Sequence, residues 1–210
     1  MSRTLVLLRH GRTAWNHAGR IQGHLEVPLD EIGLAQAERT APVLAALGPS
    51  IVWCSDLART RQTVAPLGAT TGLEPRFDPR LREFGFGERE GLTHAEFRSA
   101  HPEEFARFRE GEYDAVPTAE RTSAVAARMH EALTELLATL EPGQTGIAVS
   151  HGAAVRVAVG ALLGWPDRLF HTLRGLDNCG WVVLREHPEH GGLRLEAYNR
   201  VVPETPAVAG

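Results

Sequence analysis

The sequence predicts an α/β fold: a three-layer sandwich with a mainly parallel central sheet and one antiparallel edge strand. Three apolar runs, at residues 4–8, 51–54 and 146–150, are typical of strands that are buried on both faces. Segments with helical spacing of apolar residues lie between them, and such alternation favours a parallel sheet covered by helices. The length of 210 residues fits a single domain over 1–210.

The first half of the chain supplies most of the alternation. Asp30 is a suitable N-cap for a helix that extends to Leu47, and Gly48-Pro49 would end that helix. The predicted elements are, in order, a strand at 4–8, a Gly- and His-rich loop at 11–28, a helix at 31–47, a strand at 51–54, a helix at 55–72 and a short strand at 74–77.

The second half begins with a stretch that breaks the pattern. Residues 84–117 are rich in Glu, Arg and Phe, and we interpret them as a small helical insertion over the active site, with short helices near 93–110. The elements predicted after it are an amphipathic helix at 120–140, a strand at 146–150, a helix at 152–163, a hairpin of strands at 180–184 and 193–197, and a loose tail at 203–210.

Composition excludes several classes of function. The net charge is −4, which gives no reason to expect a nucleic acid or a membrane as partner. All 22 basic residues are arginine, so a Schiff-base lysine and a phosphate-loop lysine are both absent. Two cysteines without a Cys-x-x-Cys motif suggest a reducing compartment. The apolar run at 4–8 is too short for a signal peptide, so we expect a cytoplasmic protein.

Two of the buried strands lead into the same short pattern. The first is followed by Arg9-His10-Gly11, and the third by Ser150-His151-Gly152. Residues beyond the carboxyl ends of parallel strands line the ligand crevice of an open sheet, so we expect the two histidines to lie together. The helix after His151 directs its N-terminus at the same place, which favours an anion.

Two arginines complete a pocket for a phosphoryl group. Arg9 precedes His10, and Arg59 belongs to the helix after the second strand. A guanidinium group matches the oxygens of a phosphoryl group. Beside two arginines the His10 imidazole should remain neutral, so it can attack phosphorus and form a phosphohistidine. Glu83 is the candidate general acid that protonates the leaving oxygen.

Several blocks of residues occur in one order over about residues 4–160. They are Leu8-Arg-His-Gly-Arg-Thr-Ala-Trp-Asn16, Gln22-Gly23, Pro28-Leu29, Ser55-Asp-Leu-Ala-Arg59-Thr-Arg-Gln-Thr63, Leu81-Arg-Glu83, Glu90-Gly-Leu-Thr93 and Ser150-His-Gly152. Together they resemble the histidine phosphatase (phosphoglycerate mutase-like) superfamily, on its phosphatase branch. The stretch 55–97 is similar to actinobacterial members that dephosphorylate glucosyl-3-phosphoglycerate.

The resemblance implies a role for each matching residue. His10 would be the nucleophile and Glu83 the proton donor. Arg9, Arg59 and His151 would hold the phosphate. The further residues expected at the phosphate or the substrate are Thr13, Asn16, Gln22, Gly23 and Gly152. No metal or other cofactor is implied, and the partner would be a small phosphorylated molecule. Family members are often dimers, so a homodimer is one expectation, and the oligomeric state stays open.

One departure from the family pattern bears on the substrate. Arg12 stands where Glu or Gln is usual. Its guanidinium could bind a second anionic group of the substrate, or it could pair with a carboxylate at the surface. The sequence favours neither interpretation.

The resulting hypothesis is a metal-independent phosphatase that hydrolyses phosphate monoesters of small metabolites, of the sugar phosphate or phosphoglycerate type, through a phosphohistidine. A phosphoglycerate mutase is the first alternative, although Phe84 stands where the family's mutases carry a basic residue after the proton donor. A non-catalytic regulator that binds a phosphorylated ligand is the second, and it would not need Glu83. Release of inorganic phosphate discriminates among the three.

Overall fold

The computed structural model describes residues 1–203, and its centre is one mixed sheet. Its strands are β1 (Thr4–Arg9), β2 (Pro49–Cys54), β3 (Arg76–Phe77), β4 (Thr145–Ser150), β5 (Trp181–Glu186) and β6 (Leu193–Arg200). The strand order is β3-β2-β4-β1-β5-β6. The pairs β1–β4, β4–β2 and β2–β3 are parallel, whereas β5 pairs antiparallel with β1 and with β6. The predicted α/β class is confirmed, and the terminal hairpin forms one edge of the sheet.

Helices connect the strands. They are α1 (Ala14–His17), α2 (Glu31–Ala45), α3 (Ala58–Thr71), α4 (His94–Ala100), α5 (Pro102–Glu110), α6 (Thr122–Ala138) and α7 (Gly152–Leu162). Asp30 caps α2 as predicted, by accepting a hydrogen bond from Gly33 N. No helix within residues 1–203 is long and apolar enough to cross a membrane.

Two short helices differ from the sequence-based expectation. α1 lies inside the segment expected to be a loop, and a 3-10 helix spans Asp167–Thr172. α1 has one turn, so it offers no apolar periodicity to detect; a capping box between Thr13 and Asn16 stabilises it instead. The tail expected at 203–210 lies outside the described residues beyond Pro203.

Helices cover both faces of the sheet. On one face Leu5 and Leu7 of β1 share a core with the buried side chains of α6 and α7. On the other, Val6 and Leu8 share a second core with buried side chains of α2 and α3. This alternation along one strand produces the three predicted layers. Because β1 and β4 are adjacent and parallel, their carboxyl ends open at the same edge.

The segment expected as an insertion packs through aromatic rings. Phe84 and Tyr113 lie 4.7 Å apart between ring centroids, and Phe108 lies 5.4 Å from both Phe86 and Tyr113. α4 and α5 belong to this segment, and Phe97 of α4 is fully buried in the same cluster. The cluster places Phe86, Phe108 and Tyr113 along one side of the cavity described next.

Candidate active site

A cavity of about 320 Å³ lies at the carboxyl ends of β1 and β4. This volume is within the range of small-molecule sites. Most of the residues predicted for the site line it, namely Arg9, His10, Asn16, Gln22, Gly23, Arg59, Glu83 and Gly152. The other two, Thr13 and His151, have no exposed surface and lie behind its wall. The structure therefore brings residues from distant parts of the chain to one place.

The two histidines lie beside each other because their strands are neighbours. Arg9 is paired with Ser150 across β1 and β4, and His10 N donates a hydrogen bond to Ser150 O over 3.0 Å. The ring centroids of His10 and His151 are 5.2 Å apart, at 60° between the ring planes. Adjacent parallel strands thus convert two remote His-Gly pairs into one cluster.

The hydrogen bonding of His10 fixes its reactive atom. Nδ1 lies 2.7 Å from Gly11 O. A carbonyl oxygen only accepts, so Nδ1 carries the proton and Nε2 keeps its lone pair. Only 3% of His10 is exposed. Burial, and then the charges of Arg59 and Arg9, hold the pKa of His10 well below its usual range. His10 is therefore a neutral imidazole whose Nε2 has no hydrogen-bond partner among residues 1–203.

Arg59 is held by His151 and by the loop before α2. Its Nε donates to His151 Nδ1 over 3.2 Å, and its terminal nitrogens donate to Gly23 O at 2.7 Å and Leu25 O at 2.9 Å. Burial lowers the pKa of Arg59 to about 10, so the guanidinium remains charged at neutral pH. The arginine is thereby fixed at the cavity wall.

The partners of His151 define its part in the site. Its Nδ1 accepts from Arg59, so its proton is on Nε2, which donates to Ser55 Oγ over 2.8 Å. Burial and the charge of Arg59 keep the pKa of His151 well below its usual range. Both ring nitrogens are engaged by protein groups, so the structure shows His151 holding Arg59. Direct contact of His151 with a phosphate stays a prediction.

Arg9 lies against the start of α7. Its Nη1 donates to Leu176 O, and its Nε is buried without a hydrogen-bond partner among residues 1–203. A Cβ at Gly152 would lie 3.3 Å from Arg9 Nε, so a side chain larger than glycine would crowd the guanidinium. Burial lowers the pKa of Arg9, whereas the nearby Glu83 raises it. Arg9 thus brings a second guanidinium, with an unsatisfied N–H, to the cavity.

Glu83 lines the cavity and accepts hydrogen bonds from the first turn of α7. Its Oε1 accepts from Ala154 N at 2.9 Å and from Phe84 N at 3.0 Å, and its Oε2 accepts from Ala153 N at 3.2 Å. The first N–H groups of a helix have no partner within the helix, so they fix a carboxylate placed there. Three backbone N–H groups therefore hold the Glu83 carboxyl group at the cavity wall.

Thr13 organises the amide side chains of the pocket from behind. Thr13 Oγ accepts from Asn16 N at 3.0 Å and lies 3.1 Å from Gln22 Oε1. Asn16 Oδ1 in turn accepts from Thr13 N at 3.1 Å. Because the amide oxygens of Asn16 and Gln22 are held by Thr13, their NH₂ groups remain as donors. Thr13 was predicted at the substrate, and the structure places it one layer behind.

Close contacts explain the residues at two further positions, Arg12 and Gly23. Arg12 Nε donates to Asp30 Oδ2 over 2.8 Å, which corresponds to the interpretation that it pairs with a surface carboxylate. Gly23 has φ of 50°, and a Cβ there would lie 2.0 Å from Glu90 Oε1. The loop that bonds Arg59 therefore requires glycine.

Sequence reasoning missed part of the cavity wall. Tyr113, Arg109 and Arg156 line it. Arg156 had a signal, because it is the one charged residue in the apolar stretch of α7. Arg109 belongs to α5, where the sequence predicted a short helix but not which side chains face the cavity, and Tyr113 lies after that helix in a part of the segment without a periodic pattern. Within residues 1–203, no three His, Cys, Asp or Glu side chains are grouped to hold a metal ion.

Known proteins are similar to this chain over most of its length. A profile of the histidine phosphatase superfamily (branch 1) matches residues 5–200. Glucosyl-3-phosphoglycerate phosphatase of Mycobacterium tuberculosis is 37% identical over 193 residues, which cover 89% of this chain and 86% of that protein. A probable phosphoglycerate mutase GpmB of Yersinia pestis is 38% identical over 180 residues, which cover 83% and 81%.

A solved structure agrees over nearly the whole chain. The mycobacterial glucosyl-3-phosphoglycerate phosphatase in complex with VO3 has a TM-score of 0.86 at 36% identity, covering 94% of this chain and 98% of that one. The matches extend across the strands and helices that carry His10, Arg59 and His151. This chain belongs to the histidine phosphatase superfamily.

Proposed function

We propose that this protein hydrolyses phosphate monoesters of small metabolites, of the sugar phosphate or phosphoglycerate type, through a phosphohistidine at His10. The observation that carries the proposal is the neutral His10 imidazole, with Nε2 free, beside the guanidinium groups of Arg9 and Arg59. The phosphatases among its relatives support the same activity.

The first step transfers the phosphoryl group to the protein. Arg9 and Arg59 bind the phosphoryl oxygens and offset the negative charge that is spread over them in the transition state. His10 Nε2 attacks phosphorus with its lone pair, and the bond from phosphorus to the ester oxygen breaks. The protonated carboxyl of Glu83 gives its proton to that oxygen, so the alcohol leaves uncharged. His10 now carries the phosphoryl group and Glu83 is a carboxylate.

The second step returns the site to its starting state. Glu83 accepts a proton from a water molecule as the water oxygen attacks phosphorus. The bond between Nε2 and phosphorus breaks, and its electron pair returns to the imidazole. Inorganic phosphate leaves, with His10 neutral and Glu83 protonated again. The hydrogen bonds from the start of α7 hold Glu83 in place for both transfers.

The mutase alternative has less support. The relative named as a probable mutase matches as well as the phosphatases do in identity. However, Phe84, the residue after Glu83, is fully buried in the aromatic cluster and cannot bind a substrate carboxylate. The non-catalytic alternative does not account for Glu83, because binding a phosphate needs no carboxyl group at the same cavity.

The test is phosphate release from a panel of phosphorylated metabolites and from p-nitrophenyl phosphate, without added bisphosphoglycerate. We expect the wild-type protein to release inorganic phosphate, and His10→Ala to release none above background. His130→Ala, which removes an exposed histidine of α6, is the matched control and should behave as wild type. Turnover by His10→Ala, or its absence in the wild type with every substrate, would reject the proposal.

Location and assembly are narrower proposals. Both cysteines are free and buried, which suits a reducing compartment. We therefore propose a cytoplasmic protein, to be tested by fractionation of cells that express the tagged chain. A homodimer stays a prediction, and light scattering of the purified protein would decide it.

A further inference from the structure

The cavity carries more positive charge than a phosphoryl group needs. Among residues 1–203, Glu83 is the one acidic residue that lines it. Its lining arginines are Arg9, Arg20, Arg59, Arg109 and Arg156. A phosphate dianion between Arg9 and Arg59 would balance those two charges only. Of the remaining three, Arg20 lies 3.8 Å from Glu96 and donates to Gly91 O, whereas Arg109 belongs to α5 and Arg156 to α7.

Arg156 combines burial with the lack of an acidic partner within residues 1–203. Only 8% of this residue is exposed. Within residues 1–203 its hydrogen bonding consists of one bond, from Nη2 to Tyr113 Oη over 2.8 Å, and its Nε is buried without a partner. No carboxylate lies within salt-bridge distance of it in that part of the chain. By contrast, the part-buried Arg128 forms an ion pair with Glu120 at 2.8 Å.

An arginine of this kind lowers the stability of the folded protein unless an anion binds it. Removing a guanidinium group from water costs free energy, and without a counter-charge nothing offsets that cost. The surrounding structure nevertheless leaves room for Arg156. Gly111, with φ of 89°, allows the close approach of Arg156 Nη2, because a Cβ at Gly111 would lie 2.3 Å from that atom. The ring of Tyr113 also lies 5.2 Å from the Arg156 guanidinium carbon. The site is built around an arginine that has no acidic partner in the described part of the chain.

Arg156 also lies at a useful spacing from the reaction centre. It follows Gly152 by four residues on α7, so the two share one face of the helix about 6 Å apart along its axis. Gly152 packs against Arg9. Tyr113 connects the two regions, because it hydrogen-bonds Arg156 and is close enough to Arg9 and Glu83 to interact with their charges. A substrate held by its phosphoryl group can therefore reach Arg156 with a group a few bonds away.

We propose that Arg156, together with the Tyr113 hydroxyl and Arg109 at the rim, binds a carboxylate of the substrate. The preferred substrates are then phosphate monoesters of small hydroxy acids rather than neutral sugar or polyol phosphates. The proposal rests on the phosphatase function proposed above and specifies its substrate class. A carboxylate suits the site because it supplies the missing counter-charge and accepts hydrogen bonds from a guanidinium group.

A matched pair of substrates tests this. 3-Phosphoglycerate and glycerol 3-phosphate differ by a carboxylate against a hydroxymethyl group. We expect wild-type kcat/KM to favour 3-phosphoglycerate by about 10- to 100-fold, as for a hydrogen bond between charged groups. Arg156→Met should bring this ratio close to one, and Arg156→Lys should keep part of it. Arg98→Met, which removes an exposed arginine of α4, should keep the wild-type ratio.

Binding gives a second measurement that does not require turnover. In His10→Ala, calorimetry should show tighter binding of 3-phosphoglycerate than of glycerol 3-phosphate, and adding Arg156→Met should remove the difference. A wild-type ratio within about twofold, or an unchanged ratio in a variant that melts like the wild type, would overturn the proposal. If Arg156→Met does not fold, the wild-type ratio and Arg156→Lys decide.

The two proposals fail in different ways. If both esters are hydrolysed equally, the carboxylate site is wrong and the phosphatase function stands. If neither ester nor p-nitrophenyl phosphate is hydrolysed, the phosphatase function is wrong, and the calorimetric comparison alone decides whether Arg156 binds a carboxylate.

Discussion

The chemistry of single residues here depends on which groups are left without a protein partner. His10 commits Nδ1 to the Gly11 carbonyl and leaves Nε2 free, whereas His151 commits both nitrogens. The same residue type therefore takes two roles through its hydrogen bonds alone. Glu83 shares this principle, because the N–H groups of α7 fix its carboxyl group at the cavity.

Glu83→Gln tests proton donation separately from binding. Gln has nearly the same shape but cannot protonate a leaving oxygen, so kcat/KM for an alkyl phosphate, which reports formation of the phosphohistidine, should fall by about 10²- to 10⁴-fold. The loss of kcat/KM should be much smaller with p-nitrophenyl phosphate, because p-nitrophenolate leaves without a proton, whereas kcat includes hydrolysis of the phosphohistidine and can fall with both substrates. Steady-state kinetics with both substrates provide the measurement.

The matched control is Glu88→Gln, since Glu88 is exposed and its loss changes the net charge equally. It should leave both rates as in the wild type. Equal losses of kcat/KM on the two substrates in Glu83→Gln would show that Glu83 does not donate the proton to the leaving oxygen.

At the scale of elements, α7 and α1 do most of the positioning. The N-terminus of α7 brings Gly152 beside Arg9, and its first turn binds Glu83. α1 has a single turn, yet its cap residue Thr13 orients Asn16 and Gln22. A helix too short to be stable alone thus contributes through its cap.

Thr13→Val removes the capping oxygen and keeps the shape. Loss of an N-cap costs about 1 kcal/mol, so the amide donors of Asn16 and Gln22 should be less ordered. We expect KM to rise by about 3- to 10-fold, with a smaller change in kcat, because His10 and Glu83 are untouched. Thr13→Ser retains the oxygen and should keep KM near the wild-type value. An unchanged KM in folded Thr13→Val would show that Thr13 does not position the substrate amides.

At the scale of the whole molecule, burial of the two imidazoles couples the site to stability. The pKa values of His10 and His151 are well below the usual one in the folded protein. As the pH falls below about 6.5, the unfolded chain binds protons at these rings and the folded protein does not. The free energy of unfolding should therefore decrease from pH 6.5 down towards the lowered pKa values.

Urea unfolding at pH 7.5 and pH 5.5 measures this contribution. His10 accounts for at most about 1.4 kcal/mol of the loss over that interval. His10→Gln should therefore lose less stability than the wild type between the two pH values, whereas His130→Gln, with an exposed histidine replaced, should follow the wild type. Identical losses in His10→Gln and the wild type would mean that His10 is protonated in the folded protein at pH 5.5.

The strands of the sheet and the position of the cavity could be predicted from the sequence. Apolar runs located β1, β2 and β4, and the His-Gly pairs after β1 and β4 placed the cavity, because parallel neighbours end at one edge. The hydrogen-bond partners of the His10 and His151 rings could not be predicted, because Ser55 and the Arg59 guanidinium are distant from His151 in the sequence and contact it only in the folded protein.

Other features needed the packed structure. Tyr113 reaches the cavity through the aromatic cluster of an irregular segment, which carries no periodic pattern. The lone charge of Arg156 in the apolar α7 is the sequence signal for this part of the cavity, because a charge in a buried helix needs a partner.

The central claim is that His10 carries the phosphoryl group during turnover. Rapid base quenching of the protein with p-nitrophenyl phosphate, followed by peptide mass spectrometry, tests it most directly, because a phosphohistidine survives base. We expect one phosphoryl group on His10 in the wild type and none in His10→Ala. Phosphate release in the steady state with unmodified His10, or with the phosphoryl group on another residue, would contradict it.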